Sequence, residues 1–356
     1  MSITQLKAIQ QDFLQELKDA YSDKKTSLPF IVHQISSKPI IRDGETLRSL
    51  VVGGTVTKIA NLKKSGDSID VLGKKEQQVH FKNEEDFLAF VNNELPDNID
   101  VLALNFAYPI QPVFENGKLD GVLLAVTKEG GFHGLVGKKI GKEVEDYVLA
   151  KRNKKIKVAV ANDTICLLLS GLTKYSFDNL AAGIVGTGFN IAFFLGQDRL
   201  VNLESANFDK FPQTKEGRIV DQESTQPGKS LFEKETAGAY LYKHFNLIIK
   251  NKNIDFPSIN STEELNSLSF ENIPQVSDIA KSLLKRSAQL VACQIAGITD
   301  FMNRRMVFNM EGSLFWKGNN YKETVEKTVR QLVPNHKVEF VEIKDSGILG
   351  AAKLVS

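Results

Sequence analysis

Two short glycine turns, each set between strand-like segments, constrain this chain more than any other feature. Residues 50–52 (Leu, Val, Val) run into Gly53, Gly54 and Thr55 and then into residues 56–60. About 130 residues later, residues 182–185 pass through Gly186, Thr187 and Gly188 into residues 191–195. A glycine has no Cβ, so backbone amides in such a turn can converge on a phosphate, and a threonine hydroxyl adds a donor. Either turn taken singly reads first as a plain hairpin. The pair, in matching surroundings, predicts a duplicated α/β architecture of two halves with a cleft between them.

The remaining pattern fits that frame. Residues 3–23 read as an amphipathic helix with Ile3, Leu6, Phe13, Leu14, Leu17 and Tyr21 near one stripe. Its polar face is not enriched in cations, so packing on the protein body is expected rather than lying on a membrane. Residues 84–94 and 142–151 read as helices, and 101–108 and 158–161 as buried strands. The later chain is mainly helical (230–245, 277–303, 321–332), interrupted by strands at 306–309 and 338–343, with a short terminal helix from near Gly350.

At 356 residues two domains are expected. Lys and Arg number 45 against 43 Asp and Glu, a net charge of +2 that excludes a dedicated nucleic-acid binder. No apolar run approaches the ~18–20 residues of a membrane span, and no signal-peptide pattern opens the chain. Two cysteines, Cys166 and Cys293, cannot build a disulfide framework or a Cys-rich zinc site, and both sit in apolar company. The expectation is a soluble cytoplasmic protein with no nucleic-acid or membrane partner and no resident metal site. Nothing in the pattern sets an oligomeric state.

Several polar residues stand in apolar surroundings. The strand at 158–161 ends in Asn162, Asp163 and Thr164, placing a carboxylate where α/β folds hold ligands. Asp163 is equally suited to cap a helix beginning at Thr164, and a capping carboxylate is also held rigidly. Thr127 and Lys128 end the apolar stretch 121–126 and precede Gly130, Gly131 and Phe132. Asn202 and Glu204 alternate with Val201 and Leu203, which puts both polar side chains on one strand face. Glu233 lies on a helix behind Pro227 and Gly228.

Taken in order, these segments resemble the hexokinase family over nearly the whole chain. Ser27, Leu28 and Pro29 resemble the family's lead-in to its small domain, and Gly53, Gly54 and Thr55 its first phosphate loop. Residues 105–109 (NFAYP) are similar to the strand ending Phe-Ser-Phe-Pro. Thr127 and Lys128 with Gly131 and Phe132 resemble Thr-Lys-Gly-Phe, and residues 160–164 the strand holding the catalytic Asn-Asp-Thr. Residues 184–190 (IVGTGFN) resemble the second phosphate loop, 201–204 (VNLE) the sugar-binding Asn-x-Glu, and 221–234 (DQESTQPGKSLFEK) is the longest close match. Glu311, Gly312 and Ser313 resemble the adenosine-loop Asp-Gly-Ser, and 347–352 (GILGAA) the final glycine-rich turn.

The resemblance implies a two-domain actin-like ATPase (ribonuclease H-like) fold, with a cleft between a small domain (47–162 plus 346–356) and a large one (1–46 plus 163–345). It implies a kinase that transfers phosphate from Mg-ATP to a hexose, glucose or a relative. By that likeness Asp163 is the general base and Lys128 stabilises charge on the transferred group. Thr127, Asn162, Asn190, Glu204 and Glu233 bind sugar hydroxyls. Gly53, Gly54, Thr55, Gly186, Thr187, Gly188, Gly312 and Ser313 hold the nucleotide.

Departures from the family pattern are specific. Val51 stands where the first loop has Asp, a carboxylate that helps hold hydrated Mg²⁺. Val56 replaces Asn, Lys58 replaces Arg and Ala107 replaces the serine of Phe-Ser-Phe-Pro. Glu129 and Gly130 interrupt Thr-Lys-Gly-Phe, and the chain is shorter than the usual eukaryotic catalytic domain, as a compact divergent member is. Two readings follow: an active hexose kinase, or a sugar-binding sensor of the same fold that lacks turnover.

Overall fold

The computed structural model describes residues 1–53, 56–126 and 132–356. Its first element, α1 (Ile3–Tyr21), starts at a reciprocal cap between Ser2 and Gln5 and buries Leu6, Ile9, Phe13, Leu14 and Leu17 along one stripe. The chain continues through strands β1 (Ile31–Gln34), β2 (Thr46–Val52), β3 (Val56–Ser65) and β4 (Ser68–Gln78). Helix α2 (Glu84–Glu94), strand β5 (Val101–Phe106) and the hairpin β6 (Ile110–Glu115) and β7 (Lys118–Leu123) come next. They are followed by α3 (Ile140–Arg152), β8 (Lys157–Ala161) and α4 (Asp163–Ser170).

The second glycine turn lies between β9 (Leu180–Val185) and β10 (Phe189–Gly196), followed by β11 (Arg199–Asn202). Helices α5 (Lys215–Gln222), α6 (Leu231–Thr236), α7 (Gly238–Asn251), α8 (Thr262–Leu268) and α9 (Val276–Met302) lead to strand β12 (Met306–Glu311). The chain closes with α10 (Ser313–Lys317), α11 (Tyr321–Leu332), β13 (Val338–Val341) and α12 (Ser346–Lys353).

Backbone packing divides the chain into two compact units, one comprising residues 1–30, 183–191 and 203–342, the other 31–182, 192–202 and 343–356. One sheet has the order β4-β3-β2-β5-β8, with β2, β5 and β8 parallel and β3 antiparallel to β2. Its register places Val51 beside Lys58 on one neighbour and beside Asn105 on the other. The core behind this sheet includes Leu50, Leu102, Leu104, Phe106, Phe87, Val144 and Phe132, every one fully or almost fully buried. A second sheet has the order β1-β11-β10-β9-β12-β13.

Helix α12 rests on α4 at backbone contact, because a Cβ on Gly350 would lie 1.7 Å from the Cys166 carbonyl oxygen. Only glycine permits that crossing. Helix α12 begins at Ser346, four positions before the expected start. The helix expected over 230–245 is two helices broken at Ala237, whose backbone is extended (φ −88°, ψ 155°). The break lets Gly238 N–H and Ala239 N–H donate to the carbonyls of Gly186 (2.7 Å) and Thr187 (3.1 Å). Strand β4 carried no sequence signal: its residues are largely exposed and lack alternation, and pairing with β3 alone makes it a strand.

Candidate functional site

In the first unit, the turn at Gly186, Thr187 and Gly188 is closed by Gly186 N–H donating to the Gly188 carbonyl at 3.1 Å. Thr187 is exposed and Gly186 buried. Gly312 takes φ +119°, a conformation L side chains rarely adopt, and a Cβ there would lie 2.1 Å from the Val185 carbonyl oxygen. A Cβ on Gly186 would in turn lie 3.3 Å from Gly312 Cα, and one on Gly238 2.8 Å from the Gly186 carbonyl oxygen. Three glycines from three distant segments thus let backbones approach at one point, with exposed Ser313 following Gly312.

Beside this turn the structure brings Asn190, Glu204 and Glu233 together. Phe189 N–H donates to Glu233 Oε2 at 3.0 Å. Asn190 Oδ1 accepts from Ile191 N–H (2.8 Å) and Ser205 N–H (3.2 Å), while its amide nitrogen reaches Glu204 Oε1 at 3.4 Å. Burial and, secondarily, the Glu204 carboxylate push the Glu233 carboxyl above its ordinary value. Burial first and Glu233 second likewise raise the Tyr240 phenol.

Glu204 does not share a strand face with Asn202, as alternation implied. Strand β11 ends at Asn202, and Glu204 takes the left-handed conformation (φ 49°, ψ 46°). Its carbonyl is held by Asn207 N–H and Asn207 Nδ2, each at 3.0 Å, which stabilises a backbone state that costs an L-residue energy. Asn202 itself is buried.

In the second unit, α4 begins at Asp163, not Thr164, and its cap is Asn162, whose Oδ1 accepts from Ile165 N–H at 3.0 Å. Asp163 is exposed in the first turn, and its Oδ1 accepts from Thr164 N–H at 2.7 Å and Thr164 Oγ1 at 3.2 Å. The capping task therefore falls to Asn162. Asp163 also contributes, behind burial, to raising the Cys166 thiol far above its usual range.

Gly53 follows the end of β2. Val51 presents methyl groups 3.3 and 3.4 Å from where a Cβ on Gly347 would be, and Asn105 Nδ2 lies 3.1 Å from the same point. Asn105 is 2% exposed and its Oδ1 has no hydrogen-bond partner among the described residues. Gly54, Thr55, Thr127 and Lys128 lie outside the described residues. Among the described residues no group of three His, Cys, Asp or Glu side chains converges to hold a metal, and no helix is long and apolar enough to cross a membrane.

Residues that spacing alone did not single out complete the site. Asn207 and Ser205 shape the Glu204 turn, and Gly238 presses on the glycine loop. Asn207 acts within its own turn, whereas Ser205 and Gly238 act through contacts with other segments, and periodicity encodes neither.

The hexokinase family model matches residues 180–254 and 251–356. The Kluyveromyces lactis hexokinase is 24% identical, aligned over 99% of this chain and 88% of its own. Saccharomyces cerevisiae hexokinase-1 is 23% identical with the same coverage of both chains. Among solved structures, Schistosoma mansoni hexokinase complexed with glucose superposes with a TM-score of 0.81 at 19% identity, covering 100% of this chain and 95% of that one. The ROK hexokinase of Thermus thermophilus superposes at 0.60 with 14% identity, covering 87% and 98%. The fold is the α/β two-domain actin-like ATPase fold. Motif order, sheet topology and these matches agree, and the chain belongs to the hexokinase family.

Proposed function

We propose that this protein is a sugar kinase, transferring the γ-phosphoryl group of ATP to the 6-hydroxyl of glucose or a related hexose. The observation that supports it is the convergence of Asn190, Glu204 and Glu233 beside the Gly186–Gly188 turn. Each carboxylate can accept from two hydroxyls, and the amide both donates and accepts, a set suited to the vicinal hydroxyls of a sugar ring. The turn, with Gly312 and Ser313, is proposed to bind phosphate and nucleotide, and Gly53, Gly54 and Thr55 are proposed for further phosphate contacts.

In this reading Asp163 accepts the proton of the sugar hydroxyl as its oxygen meets the γ-phosphorus, and ADP leaves. General-base assistance of this kind contributes roughly 10²–10⁴-fold. Lys128 is proposed to balance charge on the transferred group, and Thr127 and Asn162 to contact the sugar. A Mg²⁺ carried by the nucleotide needs only one or two protein carboxylates and supplies charge neutralisation on the phosphates. Asp163 fits that requirement, whereas position 51 offers only methyl groups. The proposed domain boundaries are those given above, and the proposed location is the cytoplasm.

The Val51 side chain favours a second reading, a sugar-binding sensor with little turnover. A coupled ADP-release assay with Mg-ATP over a panel of hexoses separates the two. Sugar-dependent release that disappears in Asp163→Ala supports the kinase, and unchanged release in that variant sinks it. Thermal stabilisation by one sugar without release, together with gain of turnover in Val51→Asp, supports the sensor.

A further inference from the structure

Lys234 is the chain neighbour of Glu233, yet it is only 2% exposed and its ammonium is held by the end of α5 and the loop after it. Its Nζ donates to Asp221 Oδ1 at 2.5 Å and to the Gln226 carbonyl at 2.8 Å. The Asp221 carboxylate also accepts from Gly228 N–H at 3.0 and 3.1 Å. One ion pair, its lysine buried and its aspartate half-buried, therefore ties together the end of α5, the loop that follows it and the first turn of α6.

Helix α6 is six residues long, too short to hold its own orientation. It is entered through Ser230 in the left-handed conformation (φ 50°), whose N–H reaches Asn207 Oδ1 at 3.4 Å. Asn207 is the residue that also holds the Glu204 turn. Successive helical side chains diverge by about 100°. Fixing Lys234 toward the loop therefore fixes Glu233 toward Phe189 and the glycine turn.

We propose that the Asp221–Lys234 ion pair is a positioning element that sets the Glu233 carboxylate for sugar binding. The inference rests on Glu233 being a sugar ligand. Its cause is steric and electrostatic: removing Asp221 leaves the buried Lys234 ammonium without its counter-ion, and removing either partner frees the loop that orients α6.

The test uses the full-length protein, D-glucose and the variants Asp221→Asn, Lys234→Met and the double variant. Sugar affinity is read by calorimetry and the KM and kcat for glucose by coupled ADP release. Each single variant is expected to raise both Kd and KM roughly tenfold with a smaller change in kcat. The double variant is expected to be no worse than Lys234→Met, because the two residues act as one unit. A purely structural role would lower apparent kcat through the active fraction at unchanged Kd and KM, and that result overturns the proposal. Asp221→Asn is isosteric and keeps the test decisive if Lys234→Met does not fold. Wild type that binds glucose while its variants bind equally well overturns this inference alone. Wild type that neither binds nor turns over glucose overturns the sugar-ligand reading and this inference with it.

Discussion

Glu204 joins strain and function in one residue, which makes replacing it by glycine and by alanine informative. Its backbone sits at φ 49°, ψ 46°. That region costs an L-residue roughly 1–2 kcal/mol, and glycine escapes the cost. Glycine in turn loses roughly 0.5–1 kcal/mol more chain entropy on folding than alanine. Both substitutions delete the Asn190 contact at 3.4 Å and the repulsion from Glu233, so those effects cancel between them. Glu204→Gly should therefore be more stable than Glu204→Ala by about 0.5–1 kcal/mol. That margin corresponds to about 2 °C in Tm for a cooperative unit of this size. Guanidinium unfolding at neutral pH, with equal m-values, measures it. Both variants should lose stabilisation by added glucose. Alanine as stable as glycine at this position would refute the strain argument, because no remaining difference between them could hide it.

Glu233 sets a pH dependence with opposite signs for binding and folding. Its carboxyl is raised by burial first and Glu204 second, with Lys234 and the Phe189 amide opposing, so glucose affinity should fall on acidification from above the ordinary carboxylate range. Stability of the unliganded protein should instead rise as pH drops through the same window, since a raised folded value favours the protonated state. Calorimetry across pH checks this, and Glu233→Gln should flatten both profiles.

His33 is buried with its imidazole held down to about 4, by burial first, against an ordinary 6.5. Its contribution should be lost as pH falls from about 6.5 to about 4. Unfolding curves of wild type and His33→Asn should differ in slope across that interval. Asp120 is buried and accepts from Gly121 N–H (2.7 Å), Gly141 N–H (2.7 Å) and Lys142 N–H (3.0 Å), serving the start of α3 from a neighbouring hairpin. Asp120→Ala strands those amides and should cost about 3 kcal/mol by chemical denaturation, whereas Asp120→Asn should cost about 1 kcal/mol.

Local pattern was enough for the α/β alternation, the turn at Gly186–Gly188 and the long helices, because these rest on periodicity and on residues without a Cβ. Helix α2 spans the expected Glu84–Glu94, and α11 the expected Tyr321–Leu332. Ordered motifs also pointed to the hexokinase family, since their spacing survives low identity. Local signals failed where pairing decides the outcome. Strand β4 is a strand only because β3 offers it a ladder, and the break at Ala237 exists because α7 donates its first amides to Gly186 and Thr187. Tertiary structure alone decided that Asn162, not Asp163, caps α4, that Glu204 leaves its strand in a left-handed turn, and that Lys234 turns away from its neighbour to meet Asp221. Such outcomes hinge on which donor finds which acceptor, and periodicity does not choose between them even when, as for Asn162 and Ile165, the partner lies three residues away.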